Sequence, residues 1–360
     1  MKIRPIVLWL HRWVGLFASV IILVVAATGC FLAFEEELHR ALHPALYKAS
    51  RSEERLPVDS LVETARPAFP RQPVVGLRMP QQPGDPIAIG FGNRTRVFID
   101  PHDGRALGVQ SDPHPFIRVI NQLHVRLMAG PTGATIVGFA TLMTLGLALT
   151  GLWLWWPSRI VWFKGHPSGR RLSVDLHSVA GLYSSFFLVI VCFTGVTMAF
   201  ENALNPWIIK LTGAAPRSRP PQATPRPDSA RISIGAALQR AGAALPGAKA
   251  VLISVPQQPR GTYRVQLRFP NDTTPGGRSI VHIDPYSGEV LQVVGTRGAD
   301  LGNTYLWMQR SLHTGDIFGW PTQVLACLVC VALSLQVISG IMIWWPWRER
   351  APPPKISKSA

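Results

Sequence analysis

The sequence predicts an integral membrane protein, an α-helical bundle of four transmembrane helices with two periplasmic α+β modules and an internal tandem duplication. Of its 360 residues, 47% are hydrophobic and only 16% are charged. Four apolar stretches each exceed the roughly 20 residues that a helix needs to cross a bilayer. The two halves of the chain also carry the same short motifs in the same order, which predicts the duplication.

The four predicted spans cover residues 13–34, 134–156, 179–200 and 322–345. The first is predicted to stay as a helix rather than to be a cleaved signal peptide. Its apolar run is longer than the roughly 7–15 residues of a signal sequence, and it lacks a convincing small-x-small cleavage site.

Basic residues cluster in the N-terminal stretch, in the loop between the second and third spans, and in the C-terminal tail. An excess of Lys and Arg in short loops marks the cytoplasmic side. We therefore expect both termini in the cytoplasm of a bacterium, with segments 35–133 and 201–321 in the periplasm. This bias accounts for much of the formal net charge of +16. No nucleic-acid-binding motif is present, so we expect the protein to contact membrane lipid and not nucleic acid.

The duplication is clearest when the two halves are aligned on their histidines. A shift of 166 residues aligns LHRWVG at 10–15 with LHSVAG at 176–181, and a shift of 189 aligns the second span with the fourth. Thr-Gly or Ser-Gly pairs recur in register, as do the Trp-Trp-Pro endings of the second and fourth spans. The aligned pairs are His11 with His177, Thr28-Gly29 with Thr194-Gly195, His124 with His313, and Thr150-Gly151 with Ser339-Gly340.

The segments between the spans repeat as well. FIDPHDGRAL at 98–107 resembles HIDPYSGEVL at 282–291, and each Asp-Pro-x-x-Gly predicts a turn between strands. A short helix is expected ahead of each set, at 58–66 and at 234–244, and residues 214–229 form a Pro-rich linker. The predicted strands are 74–79, 94–99 and 105–110 in the first module and 249–255, 261–269, 279–283 and 289–294 in the second.

Together these features divide the chain into eight parts. They are transmembrane helix 1 (1–38), module 1 (39–115), a rim helix with transmembrane helix 2 (116–157), a basic cytoplasmic loop (158–175), transmembrane helix 3 (176–204), the linker with module 2 (205–300), a rim helix with transmembrane helix 4 (301–347), and a cytoplasmic tail (348–360).

The combination of LHRWVG, FEEEL, IDPHDG, LHVRLMAG and TGLWLWWP resembles the PepSY-associated transmembrane proteins. These iron-regulated inner-membrane proteins include haem-containing ferrisiderophore reductases. The resemblance covers nearly all of the chain in two copies. It implies two PepSY-like periplasmic modules on four helices and, in the reductases, membrane haem that passes electrons to ferric siderophores.

Four of the ten histidines, namely His11, His124, His177 and His313, are duplicated in register with the helices. A pseudo-two-fold arrangement brings His11 to His177 and His124 to His313, so we predict two haem b groups, each held by two axial imidazoles. Small residues dominate the helix faces that follow His11 and His177. Such faces allow either close helix packing or room for a macrocycle, and the stripe alone does not decide between them.

The neighbours of these histidines leave some assignments open. Arg12, Arg126 and Arg310 are candidate partners of the haem propionates, against the alternative of ordinary surface or positive-inside charge. Met128 or Met308 can replace one periplasmic axial ligand, which would raise the reduction potential. His124 needs a helix break at Gly130-Pro131 to reach the membrane.

The remaining histidines and the cysteines have simpler interpretations. His39 and His43 are interpreted as surface residues, with ligation or substrate contact as the alternative, and four more lack matched partners: His102, His114, His166 and His282. Zinc is disfavoured because its usual four-coordinate site needs further ligands. The four cysteines all lie in apolar helices, so Cys327 and Cys330 are interpreted as small buried or lipid-facing residues despite their metal-site spacing.

The expected function is an inner-membrane haem reductase that moves electrons to a ferric siderophore or other ferric chelate in the periplasm and so aids iron uptake. No flavin or nicotinamide domain is visible, so the electron donor is a separate partner, either quinol or a cytoplasmic reductase. The alternative is a non-redox, membrane-anchored PepSY binding or regulatory module. A transporter is disfavoured because paired acidic residues are missing at mid-depth in the spans.

Overall fold

The computed structural model describes residues 3–50, 54–111, 114–156, 158–162, 169–216, 218–226, 229–295 and 299–345. The basic C-terminal tail, residues 348–360, falls outside these ranges, as do Lys164 and His166. The described chain forms a helical bundle that is continued at one end by a β-sheet domain. We refer to the two ends of the bundle as the sheet end and the far end.

Four helices in the described chain are long and apolar enough to cross a membrane, as predicted. The protein is therefore a multi-pass membrane protein. Neighbouring helices pack around a ring in which α1 and α6 lie on one diagonal and α5 and α10 on the other. The four spanning helices are α1 (Ile3–Leu32), α5 (Gly130–Trp155), α6 (Gly169–Ala199) and α10 (Trp320–Trp344).

The small-residue face predicted on α1 points into the bundle, since Ala18, Ile22 and Ala26 are at most 4% exposed. The bulky residues of the same helix, such as Phe17 and Val20, are instead more than 70% exposed. Apolar side chains directed outward are expected where lipid rather than water surrounds the helix.

Two shorter helices fold back against the bundle at the sheet end. They are α4 (Pro115–Arg126), which packs on α1 and α5, and α9 (Leu301–Thr314), which packs on α6. The predicted break before α5 is present, because Leu127, Met128 and Gly130 all have positive φ. The chain thus reverses direction at this point, and His124 lies beside α1.

The two predicted α+β modules are joined in one sheet domain, which the sequence did not predict. Its strands form one antiparallel sheet in the order β4-β3-β2-β1-β5-β6-β7-β8, in which β1 pairs directly with β5. The close approach requires a glycine, since a Cβ on Gly76 would lie 2.6 Å from the carbonyl oxygen of Ile253. The strands are β1 (Val74–Arg78), β2 (Ile87–Phe91), β3 (Thr95–Ile99), β4 (Ala106–Ser111), β5 (Lys249–Ser254), β6 (Tyr263–Arg268), β7 (Ser279–Ile283) and β8 (Val290–Val294).

Seven of the eight strands lie where the sequence predicts them, and β2 is the one it misses. Both predicted module helices are also present, as α3 (Val58–Ala65) and α8 (Ile234–Ala244). These two helices cover one face of the sheet and form the main core with residues such as Leu61 and Ile253. Two further helices connect the bundle to the sheet domain, α2 (Glu35–Leu42) and α7 (Glu201–Thr212).

Both Asp-Pro-x-x-Gly sequences form the predicted turns. The Asp100 carboxylate accepts hydrogen bonds from the Ser50 backbone and hydroxyl and from the His102 backbone. Asp284 accepts hydrogen bonds from the backbone N–H groups of Tyr286 and Ser287. These buried carboxylates therefore fix each turn through charge-assisted hydrogen bonds.

The cysteines differ from the sequence interpretation. Cys30 of α1 and Cys327 of α10 form a disulfide, with their Cα atoms 4.5 Å apart. Cys192 is buried and free, and Cys330 is free and partly buried. This pairing was not predicted, because the two cysteines are 297 residues apart in sequence and meet only through the packing of α1 on α10.

Candidate functional site

Two pairs of histidines lie inside the bundle, and the first occupies its far end. The rings of His11 on α1 and His177 on α6 have their centres 6.3 Å apart, with an interplanar angle of 87°. These two helices lie on one diagonal of the bundle, so the gap between the two rings lies between opposite helices.

The second pair lies at the sheet end. The ring centres of His124 on α4 and His313 on α9 are 6.2 Å apart, with an interplanar angle of 57°. His124 reaches the level of Val25 on α1, which is 14 residues beyond His11. The two pairs are therefore separated by about 21 Å along that helix.

All four histidines use Nδ1 in the same way, as a hydrogen-bonding atom to a neighbouring spanning helix. Three of them contact a backbone carbonyl oxygen, whereas His11 contacts a threonine hydroxyl. The partners of Nδ1 are Thr150 Oγ1 for His11 at 2.9 Å, the Val25 oxygen for His124 at 2.9 Å, the Gln336 oxygen for His177 at 3.0 Å, and the Val191 oxygen for His313 at 2.9 Å.

These contacts fix the tautomer of each ring. A carbonyl oxygen only accepts hydrogen bonds, so Nδ1 carries the proton in His124, His177 and His313. The Thr150 hydroxyl already donates to the Gly146 carbonyl at 2.7 Å, so it accepts from Nδ1 of His11. In every case Nε2 keeps its lone pair, and among the described residues it has no hydrogen-bond partner. A partly buried imidazole held in this way is oriented for ligation of a metal through Nε2.

Each histidine also rests on a glycine of a neighbouring helix. A Cβ added to Gly29 or Gly195 would lie 3.1 Å from Cε1 of His124 or His313. The hydroxyls that precede these glycines, on Thr28 and Thr194, lie 3.2 and 3.3 Å from Nδ1 of the same rings. In each Thr-Gly pair the threonine hydroxyl therefore lies near Nδ1 of the histidine, and the glycine, which has no side chain, leaves room for the ring.

The same arrangement recurs at the far end of the bundle. A Cβ on Gly151 would lie 3.3 Å from Cε1 of His11, and one on Gly340 would lie 3.4 Å from Cε1 of His177. Ser339 places its hydroxyl 3.3 Å from Nδ1 of His177. In the sequence these four dipeptides align the two repeats, but their contact with the histidines was not predicted. Their recurrence in register with each histidine was the available signal.

The spacing within each pair fits a single metal ion between the rings. An imidazole nitrogen about 2 Å from a metal places the ring centre about 3.2 Å from it, so two opposed rings have centres about 6.4 Å apart. The observed separations are 6.3 and 6.2 Å. Among the described residues no group of three His, Cys, Asp or Glu side chains is arranged to hold a metal. Two imidazoles alone would leave the remaining coordination positions of a metal to another group.

The predicted neighbours of the histidines lie at the margins of these sites. Arg12, Arg126 and Arg310 are all exposed, and the Arg12 guanidinium lies 5.7 Å from the ring centre of Trp13. Met128 is 59% exposed. At the sheet end the structure opposes two histidines rather than a histidine and a methionine.

The histidines interpreted as isolated or surface residues divide into two groups. His102 is hydrogen-bonded to the Glu54 carbonyl, and His282 is buried beside Thr262. In contrast, His114 and His43, which the sequence did not connect, have ring centres 4.8 Å apart. His39 lies next to His43 with ring centres 5.5 Å apart.

One known protein family matches nearly the whole chain. A family model described as the PepSY-associated TM region matches residues 8–346. The match includes both histidine pairs and the whole sheet domain. No curated protein matches the chain.

Proposed function

The chain belongs to the PepSY-associated transmembrane family, and on that premise we propose that it is an inner-membrane haem protein that reduces a ferric siderophore in the periplasm. The observation that carries this proposal is the pair of opposed imidazoles, present twice, with each Nδ1 hydrogen-bonded and each Nε2 left to bind iron. Both ring separations match bis-imidazole ligation.

Haem b, when bound, would supply a one-electron carrier at each end of the bundle. His11 and His177 would hold one group, and His124 and His313 would hold the other. The chain's own contribution is to orient these rings, since the Nδ1–H donates to a fixed acceptor and a glycine admits the ring edge. Fixed rings keep the iron ligands in place between the two oxidation states.

The direction of transfer follows from the orientation of the bundle. Basic residues gather at the far end, where Arg4, Arg12 and Arg159 lie, so we assign this end to the cytoplasm. The sheet domain then lies in the periplasm, and His124 and His313 form the exit site. A quinol or a cytoplasmic reductase would deliver electrons at the far end. Reduction of iron weakens its hold by hard oxygen ligands, which releases it from a siderophore.

The decisive experiment is a reduced-minus-oxidised visible spectrum of the purified protein. We expect a haem spectrum with two groups per chain, and loss of about half of it in either His11→Ala or His313→Ala. His102→Ala, which removes a histidine outside the bundle, is the matched control and should keep the full spectrum. A protein that stays colourless after expression with ample haem would refute the proposal.

Reduction of substrate needs its own test. The protein reduced by dithionite should be reoxidised by a ferric siderophore faster than by the iron-free siderophore. If the haem is present but its oxidation rate is unchanged by the ferric complex, the protein is a haem protein with a different electron acceptor.

One observation favours the alternative of a non-redox binding module. The sheet domain has a cleft of about 400 Å³, open to solvent, beside α3 and the start of α8. Its lining combines apolar groups such as Val62 and Ile234 with the polar side chains of Asp59, Arg66 and Tyr263. This alternative predicts ligand binding by a protein that carries no haem.

A further inference from the structure

A third group of histidines lies outside the bundle, where α2 and α4 meet the sheet domain. It consists of His39 on α2, His43 at the end of that helix, and His114 at the start of α4, and we call it the histidine cluster. The ring centres are 5.5 Å apart for His39 and His43, and 4.8 Å apart for His43 and His114. Segments distant in sequence therefore bring three imidazoles together.

From this geometry we propose that the histidine cluster binds a divalent first-row transition-metal ion, with His43 and His114 as the primary ligands and His39 as the third. Such a site is distinct from the two histidine pairs in the bundle and does not depend on haem. Imidazole is a preferred ligand of Zn²⁺, Fe²⁺, Ni²⁺ and Cu²⁺.

The distances support ligands at neighbouring positions of one ion. With the metal about 3.2 Å from each ring centre, two imidazoles have centres about 4.5 Å apart at a right angle and about 5.2 Å apart at the tetrahedral angle. The His43–His114 separation of 4.8 Å falls between these values, and the His39–His43 separation of 5.5 Å is slightly above them. The pairs in the bundle, at more than 6 Å, belong to the opposed arrangement instead.

The state of the rings also suits a cation. Nε2 of His43 is buried and has no hydrogen-bond partner in the described chain. Nδ1 of His39 lies 2.7 Å from the Tyr47 hydroxyl, and this hydrogen bond orients the ring. An imidazole nitrogen that makes no hydrogen bond is available as a metal ligand.

Metal binding requires a local adjustment, since no three of the described side chains are yet arranged around a metal. Nδ1 of His114 accepts a long hydrogen bond of 3.3 Å from the Phe116 N–H at the start of α4. Ligation of the metal through Nε2 requires the ring proton to be on Nδ1. A protonated Nδ1 cannot accept from the Phe116 N–H, so this weak hydrogen bond is lost when the metal binds. Water completes the coordination.

The cluster is not a by-product of the repeated architecture. At the shifts that align the two halves, His39, His43 and His114 correspond to Asn205, Ile209 and Asn303. Asn303 is used differently, because its side chain donates to the Ala215 carbonyl at 2.8 Å. Only the first half therefore carries imidazoles at this junction. The histidine cluster lies close to the exit site, since His114 precedes His124 by ten residues along α4, or about 15 Å.

Calorimetric titration of the full-length protein in detergent with Zn²⁺, after removal of any affinity tag, tests the site. We expect one Zn²⁺ per cluster, and at least tenfold weaker binding in His43→Ala and in His114→Ala. His102→Ala, at a partly exposed histidine of the sheet domain, should bind as the unmodified protein does. Thermal unfolding of each variant shows whether it is folded.

Two outcomes overturn the proposal: failure of the unmodified protein to bind Zn²⁺, or unchanged binding in both folded cluster variants. Equal loss in His102→Ala would also overturn it, since binding would then be non-specific. The double variant His11→Ala, His313→Ala should still bind Zn²⁺ at the cluster. This result separates the cluster from the histidine pairs, so a protein without haem can still confirm the metal site.

Discussion

Removal of the Thr150 hydroxyl should damage the far-end site more than any matched change at the other three histidines. Thr150→Val keeps the size of the side chain but takes away the acceptor that lies 2.9 Å from Nδ1 of His11. His11 has no backbone carbonyl in this role, so its partly buried N–H is left without a partner. A buried donor left unpaired costs about 1–3 kcal/mol, which corresponds to roughly 5- to 150-fold in a binding constant.

The same change at the other sites should have a smaller effect. His124 and His313 keep the carbonyls of Val25 and Val191 at 2.9 Å when the neighbouring threonine hydroxyl is removed. Thr28→Val and Thr194→Val are therefore the controls. Their cost should stay near that of one long hydrogen bond, below about 1 kcal/mol.

The assay is the amount of haem retained per chain during purification and the rate at which added apomyoglobin removes it. Thr150→Val should lose haem from one site at least tenfold faster than the unmodified protein, with the second site intact. Equal rates in Thr150→Val and Thr194→Val would show that the acceptor of Nδ1 does not determine how firmly each ring is held.

Two further predictions concern the glycine contacts and the turns of the sheet domain. Gly195→Ala places a Cβ 3.1 Å from Cε1 of His313, so we expect overpacking to lower stability by about 1–3 kcal/mol, seen as a lower melting temperature. Gly146→Ala, whose Cβ would meet nothing within 4 Å, should not lower it. Burial raises the pKa of the Asp100 carboxyl, but hydrogen bonds from the His102 and Ser50 N–H groups outweigh this effect, so the pKa is lowered overall. The stabilisation that the Asp100 carboxylate provides is therefore complete above the ordinary aspartate pKa of about 4. It is lost as the pH falls through the lower pKa of the folded state. Asp100→Asn should reduce this acid sensitivity in thermal unfolding scans and lower stability by about 2 kcal/mol at pH 7, whereas Asp103→Asn, at an exposed carboxylate of the same turn, should change neither.

The spanning helices were predictable because their signal is a long apolar run that needs no tertiary context. The helix break before α5 was also predictable, since Gly130-Pro131 cannot continue the preceding helix. The opposition of His11 to His177 and of His124 to His313 followed from the alignment of the two halves. Sequence repetition thus indicated a symmetry that local patterns do not contain.

The features missed by the sequence depend on contacts between distant segments. Strand β2 (Ile87–Phe91) is buried on both faces, so it lacks the alternation that marks a half-buried strand. The disulfide of Cys30 with Cys327 and the approach of His43 to His114 arise only from the packing of separate helices. No spacing rule connects such residues, because their neighbourhood is set by the fold.

The pairing of β1 with β5 has a consequence for the helices that carry His124 and His313. The outermost strands of the sheet, β4 and β8, lead directly into α4 and α9, the helices that carry His124 and His313. One continuous hydrogen-bonded sheet therefore ends, at its two edges, in the strands that precede these two helices. The segments that carry the two imidazoles are thus anchored to one folded unit rather than to two independent ones.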